Sequence, residues 1–438
     1  MVVGDDGQAA IGAAAMRKVM WRIIPLILVA YLFAYMDRVN VSFAATDMNA
    51  DLGFSATVYG LGGGLFFLGY ALFEIPSNLM LVRVGARPWI ARIMVTWGLL
   101  SAGMMFVQTP MQFYVLRFLL GVAEAGFFPG VITYFALWFP PCHRSRAVSR
   151  FYIAVPLASV VMGAVSGWLL SLHGTGELAG WQWLFLAQGL PTVLVGLAVL
   201  LWLPDRPDTV TWLTDEERDW IIGELAREQR LIGGAASHNI FAVLGNPRVL
   251  MFGAIGFLGI GASTAFALSM PMILAKGTGF STQNVGLLVS AGGIVGALVM
   301  LRLGQLADRR SDRFIAAFWC YVLLGLAYLT ICLSGSWLLV VLAFLVHAAC
   351  APSAPMLASS AWGEALPARD LAVGAAAINT ISQIGSFATP VMWGMMADRS
   401  GGFAIGLVSL AALALAAAAL IRVLRAQVRT RALRAAAA

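Results

Sequence analysis

Charged residues are scarce in this sequence. Asp, Glu, Lys and Arg together make up 11% of the 438 residues, where a soluble globular protein carries about 25%, and hydrophobic residues make up 60%. That balance excludes an ordinary soluble enzyme. Cysteine is scarce as well. Cys142, Cys320, Cys332 and Cys350 form no CxxC pair and have no metal-ligand spacing, and three of them lie inside apolar runs, where a thiol packs as a small hydrophobe. No disulfide and no metal site is expected. A nucleophile–base constellation and a soluble catalytic domain are lacking too, so the sequence predicts neither an enzyme nor a bound cofactor. The net charge of +7 is scattered over short connections rather than gathered into a stripe, which argues against nucleic acid as a partner. The first ten residues, MVVGDDGQAA, carry none of the features of a secretion signal, and the first apolar run is therefore expected to remain as a membrane span.

What the sequence has in abundance is apolar runs long enough to cross a ~30 Å hydrocarbon layer. A window of ~20 residues places twelve of them, at roughly 20–46, 56–79, 88–107, 111–138, 147–172, 182–203, 248–275, 283–303, 314–333, 336–362, 370–396 and 402–424. The fold class expected is an all-α membrane protein, with twelve transmembrane helices in two six-helix bundles embedded in the lipid bilayer. Lysine and arginine orient it. With the N-terminus in the cytoplasm, all but four of the 28 basic residues fall on the inner side; Lys276 and Arg399 are outside, and Arg38 and Arg117 lie within the bilayer. A missed or surplus span would scramble this asymmetry. Both termini are therefore expected in the cytoplasm, with the chain in a bacterial inner membrane.

One connection is long. Residues 204–247 hold eight of the 21 acidic residues and divide the chain into an N-terminal six-helix bundle (1–203), a cytoplasmic linker with a short amphipathic helix (204–247), and a C-terminal six-helix bundle with a basic cytoplasmic tail (248–438). Thr214 and Glu217 have the spacing of a capping box, which predicts a polar helix immediately after Thr214. A weak repeat relates the halves. NLMLVRVGAR (78–87) follows the second span and GQLADRRSDR (304–313) the eighth, so that Arg83 matches Arg309 and Arg87 matches Arg313. Such symmetry marks a transporter whose substrate site lies between two related bundles.

Burying an ionised group in a membrane costs at least ~2.5–3.5 kcal/mol, so charges inside spans need partners, water or a task. Five qualify, Asp37, Arg38, Glu74, Arg117 and Glu124, and all are in the first half. From a rise of ~1.5 Å per residue, Arg117 lies at a depth similar to that of Asp37 and Arg38, and Glu124 sits two turns deeper on the same face as Arg117. A carboxyl group there can exchange a proton during a transport cycle. A buried arginine stays charged and can hold a substrate carboxylate through paired hydrogen bonds, or pair with Asp37 when the site is empty. The competing structural role is an ionic lock between the first and fourth spans. Glu74, near the cytoplasmic end of the second span, is expected to bond to neighbouring loops. His347 is set aside as an interior histidine and His173 as an outer-loop residue. The glycines of GLGGG (60–64), Gly69, and Gly121, Gly126 and Gly130 around Pro129 suit close packing or bending of helices.

These residues resemble the major facilitator superfamily and, within it, the anion:cation symporter family of organic-anion transporters. The likeness is carried by YMDRVNVSFA (35–44), GYALFEIPSN (69–78), RFLLGVAEAGFFPG (117–130) and LPDRPDTVTWLTDEER (203–218). It implies proton-driven import of a small organic anion by alternating access, with the proton as coupling ion, no cofactor, and a monomer as the working unit. The protonation sites would be Asp37 and Glu124. Arg38 and Arg117 would bear on the substrate carboxylate and on coupling. Tyr70 matches a substrate-site tyrosine, and Asn379 and Gln383, one turn apart on the eleventh span, occupy the region of a substrate-binding amide. Arg83, Arg87, Asp308 and Arg309 would belong to the cytoplasmic gates. The superfamily's usual aspartate between the second and third spans is Val82 here. Val155 stands where some sugar-acid transporters of the family carry a polar side chain, which favours small hydroxy diacids or aromatic acids. The alternative is a proton-antiport exporter of drugs or metabolites with the same fold.

Overall fold

The computed structural model describes residues 5–232, 243, 245–310, 313–362, 366 and 371–437. Among the described residues every regular element is helical. Helices suit apolar runs of this length because, in lipid, a helix satisfies each backbone N–H and C=O within its own segment. In the first half these are α1 (Asp5–Leu52), α2 (Ala56–Val84), α3 (Ala86–Gly103), α4 (Pro110–Glu124), α5 (Phe127–Trp138), α6 (Pro141–Tyr152), α7 (Ala154–Ser171) and α8 (Gly180–Trp202). The linker carries α9 (Asp215–Ile232). The second half consists of α10 (Pro247–Thr278), α11 (Thr282–Arg310), α12 (Arg313–Leu333), α13 (Trp337–Ser360), α14 (Leu371–Ser400) and α15 (Ala404–Ala437).

Among the described residues, eleven segments are long and apolar enough to cross a membrane by length and composition. They leave out α14, which stands at the eleventh expected span and is diluted by Asn379, Thr380, Ser382, Gln383, Ser386 and Thr389. Two expected spans are interrupted. The stretch 111–138 breaks between α4 and α5, where Gly126 takes a left-handed conformation with φ 86°. Pro129 explains the break, since in a continuous helix its ring would collide with the carbonyl four residues back, at Ala125. The stretch 147–172 breaks at Ile153, and Pro156 has the same relation to Tyr152. A side chain at Gly126 would adopt a conformation costing ~1–2 kcal/mol for an L-residue, and its Cβ would collide with the Ser77 side chain. Gly126→Ala should therefore lower thermal stability in detergent measurably; an unchanged melting temperature would contradict this account of the break.

The helices assort into two groups. Helix α3 packs on α8, α2 on α4, and α1 on α7 and α8, while α10 packs on α14 and α15, α12 on α13 and α15, and α11 on α13. The groups meet chiefly through α2 with α14 and α7 with α11. On the face remote from the linker this contact is close. Asp398 of α14 accepts hydrogen bonds from the first backbone N–H groups of α2, Ala56 at 2.9 Å and Thr57 at 2.8 Å. The Tyr59 hydroxyl lies 2.8 Å from the Leu268 carbonyl of α10 and 3.1 Å from that of Val41, sharing its proton between them.

The linker is tied down on the opposite face. Thr214 caps α9 in a reciprocal box, its N–H donating to Glu217 at 2.9 Å and its hydroxyl accepting from the Glu217 N–H at 3.3 Å, as the spacing predicts. Glu217 also accepts from Lys18 of α1 at 2.8 Å, and Arg144 of α6 grips both oxygens of Glu228 at 2.8 and 2.7 Å. Burial opposes the charged form of Glu217, but the bonds from Lys18 and Thr214 outweigh it and hold the carboxyl below its usual range. Hydrogen bonds from Arg144 do the same for Glu228. Groups held low stabilise the fastened linker above their free value, about 4.3, and lose that contribution as pH falls through the bound value. Hydrogen exchange in α9 should accordingly be slow and flat from pH 8 to 5, after correction for intrinsic rates, and speed up below about 4.

Candidate functional site

Asp37 and Arg38 are consecutive on α1 and so point about 100° apart around the helix. Asp37 turns into the first bundle, where it accepts hydrogen bonds from the Ser101 hydroxyl of α3 and, at 3.1 Å, from the Asn40 amide. Arg38 turns towards the end of α4, where its Nε donates to Glu124 Oε1 at 2.7 Å. The break after Glu124 leaves this carboxylate at the terminus of α4 rather than in mid-helix. Asp37, Arg117 and Glu124 are 2%, 2% and 0% exposed, and one oxygen of each carboxylate, Asp37 Oδ2 and Glu124 Oε2, has no hydrogen-bond partner among the described residues.

The cationic partner of Glu124 is thus Arg38, and not Arg117 on its own helix. Arg117 lies with its guanidinium 4.8 Å over the Phe66 ring and its Nε 3.4 Å from the Gly62 carbonyl. Arg117 and Asp37 interact electrostatically, but no ion pair joins them within 4 Å among the described residues. Arg38 is further enclosed by aromatic faces, with Tyr70 at 5.2 Å, Tyr35 at 5.4 Å and Phe66 at 5.9 Å. Such faces attract a cation and fix its direction.

A cavity of about 390 Å³ lies between the two groups of helices. Tyr35, Arg38 and Phe67 border it from the first half, and His347, Gln383 and Ser386 from the second. Its lining reaches Met300 of α11 and Pro355 of α13, in the parts of those helices nearer the linker face, and includes Val155 and Pro156 at the start of α7. Arg38 is the one charged side chain among the lining residues. The arrangement therefore presents a single guanidinium to a mostly apolar chamber, with a carboxylate behind it.

The remaining residues singled out by sequence are distributed as follows. Gln383 borders the cavity, and Tyr70 is buried against Arg38 behind the wall. Asn379 is engaged elsewhere: its amide donates to both oxygens of Glu74, at 3.1 and 2.9 Å. This corrects the expectation for Glu74, which bonds across to α14 rather than to neighbouring loops. Arg87 pairs with Asp205 of the linker at 3.0 Å, and Arg83 is exposed. The side chains of Asp308 and Arg309 lie outside the described residues. Nothing in the sequence marks Ser101 as a partner of Asp37, and His347, set aside from sequence as an interior histidine, borders the cavity.

The family model described as Major Facilitator Superfamily matches residues 27–318 and, again, 252–437. A protein of Agrobacterium vitis, named provisionally as a tartrate transporter, is 41% identical over 425 residues, covering 97% of this chain and 93% of its own. A quinolone resistance transporter of Acinetobacter baumannii is 38% identical over 392 residues, covering 89% of this chain and 90% of its own. Among solved structures, the inward-open xylose transporter XylE of E. coli is similar with a TM-score of 0.72 at 15% identity, over 92% of this chain and 95% of that one, a likeness of fold alone.

Proposed function

Since the chain belongs to the Major Facilitator Superfamily, and is thus a multi-pass membrane transporter and not an enzyme, we propose that it imports an organic anion together with protons by alternating access. The substrate class is a carboxylate such as a hydroxy dicarboxylate or an aromatic acid. The single observation that carries this reading is the Arg38–Glu124 ion pair, placed with its cation on the cavity wall and its carboxylate behind.

The pair makes proton and anion interdependent. While Glu124 is ionised it occupies Arg38, and an incoming carboxylate must compete with it. Protonation of Glu124, for which the unpartnered Oε2 offers a place, removes its charge and frees the guanidinium for the substrate carboxylate. Loaded in this way, the site sets a substrate carboxylate against the guanidinium, and that pair is cheaper to move through a low-dielectric interior than the guanidinium alone. Asp37, hydrogen-bonded to Ser101, is the second proton site, and Arg117 holds the field around it. Tyr70 keeps Arg38 in position, Gln383 meets a polar group of the anion, and Asn379 acts through Glu74.

In this reading both termini lie on the cytoplasmic side of a bacterial inner membrane, which the bias of Lys and Arg to one side of the spans supports. The Asp398 and Tyr59 contacts are then the outer gate. Glu74–Asn379, with Arg83, Arg87, Asp308 and Arg309 nearer the surface, makes the inner gates. The two six-helix bundles of residues 1–203 and 248–438 are the moving bodies, the linker 204–247 tethers them, and one chain is the working unit.

Reconstitution into liposomes with an acidic exterior tests the reading: tartrate or another acid should accumulate and carry protons inwards. The relative named for quinolone resistance supports a second reading, export by proton antiport. Substrate moving against the proton flux would replace symport by that alternative.

A further inference from the structure

Of the polar groups on the cavity wall, His347 is the one that the packing does not explain. It sits on α13, 6% exposed, with its ring centroid 4.3 Å from Phe266 of α10, 5.5 Å from Tyr328 of α12 and 6.4 Å from Phe344. Phenylalanine would fill such an aromatic nest without desolvating any polar atom. No protein group bonds to either ring nitrogen among the described residues. Nδ1 is sealed against its neighbours; Nε2 is not, and the open space that the ring borders is the cavity. A polar ring buried without partners destabilises the protein unless something else completes its bonds.

The opposite wall supplies the other half of the argument. Arg38 can take one carboxylate, and no second charged side chain lines the cavity. Thr264 and Ser386 are engaged with each other at 3.2 Å and Ser263 interacts with the Tyr328 hydroxyl, so the groups that face inward uncommitted from the second half are His347 and Gln383, on two different helices. We infer that His347 forms a subsite for the far end of a dicarboxylate: with one carboxyl group at Arg38, Nε2–H donates to an oxygen of the second. This rests on the organic-anion reading above and narrows it to acids with two carboxyl groups. A donor aimed at a charged oxygen also discriminates, because an analogue lacking that oxygen leaves the donor unpaired.

Binding to the purified full chain in nanodiscs, measured by calorimetry, tests the inference with matched pairs of probes: tartrate against 2,3-dihydroxybutyrate, and phthalate against benzoate. For whichever pair binds, His347→Phe should weaken the diacid by about 10-fold or more and leave the monoacid within about threefold, as expected for loss of one hydrogen bond to a charged group. His347→Gln, which keeps an N–H donor, should recover most of the diacid affinity. Equal weakening of diacid and monoacid, or no weakening of either, would assign His347 to packing and overturn the subsite while the organic-anion reading stands. If the unsubstituted chain binds none of the four acids, that reading fails and the subsite fails with it.

Discussion

Glu124→Gln is expected to abolish accumulation of substrate against its gradient while sparing exchange of labelled for unlabelled substrate. The amide is the closest neutral copy of a protonated carboxyl group. It can still touch Arg38, which Glu124 contacts at 2.7 Å through Nε, but it cannot reclaim the guanidinium by ionising. The site therefore stays in its loaded-ready form on both faces. Binding persists, and exchange, which needs only the loaded carrier to reorient, persists with it. Net uptake fails because the empty carrier needs the ion pair to neutralise Arg38 during its return. An uncompensated guanidinium 77% withdrawn from solvent costs several kcal/mol, so driven uptake should fall by ~100-fold or more. Uptake down a pH gradient and counterflow, measured on the same proteoliposomes, separate the two. Full driven uptake by the variant would remove Glu124 from the coupling scheme. Asp37→Asn should likewise lose pH-driven uptake as the second proton site, although Asp37 is bound to Ser101 and Asn40 and does not occupy the cavity cation.

Much of this arrangement is legible in the sequence. An ionised residue among apolar neighbours is conspicuous, and periodicity places Arg117 and Glu124 on one face, so the residues of the site can be named without coordinates. Partners are harder. Arg117 shares α4 with Glu124 but lies ~10 Å away along its axis, and the cation that does reach Glu124, Arg38 of α1, is 86 positions away in the chain. Pro129 signals a bend but not where the chain turns. Glu74–Asn379 joins residues 305 positions apart, and no local pattern encodes a contact between bundles. His347 carries no formal charge and resembles an ordinary interior residue; only the unfilled space beside it distinguishes it. Local signals at the linker are the most faithful, because the Thr214–Glu217 box is an interaction within four residues.

Asn379→Asp should impair transport about as severely as loss of Glu124, by a different route. The native amide donates to both oxygens of Glu74, and under the alternating-access proposal this bond across the two bundles forms and parts in each cycle. An aspartate in its place donates nothing and sets a second carboxylate against the first. Two like charges 4 Å apart repel by about 4 kcal/mol at an effective dielectric of 20, enough to shift a closing equilibrium by ~10³-fold before relaxation. The variant should therefore populate states in which α2 and α14 separate on the linker face, and cross-linking of engineered cysteines across that gap should fall accordingly. Adding Glu74→Gln to Asn379→Asp restores one amide facing one carboxylate with the roles exchanged, and the pair of substitutions should recover a large part of both transport and cross-linking. Failure of the double variant to improve on the single one would mean that the amide–carboxylate bond is not what holds the bundles together there. Wild-type transport by the single variant would mean that the contact does not take part in the cycle.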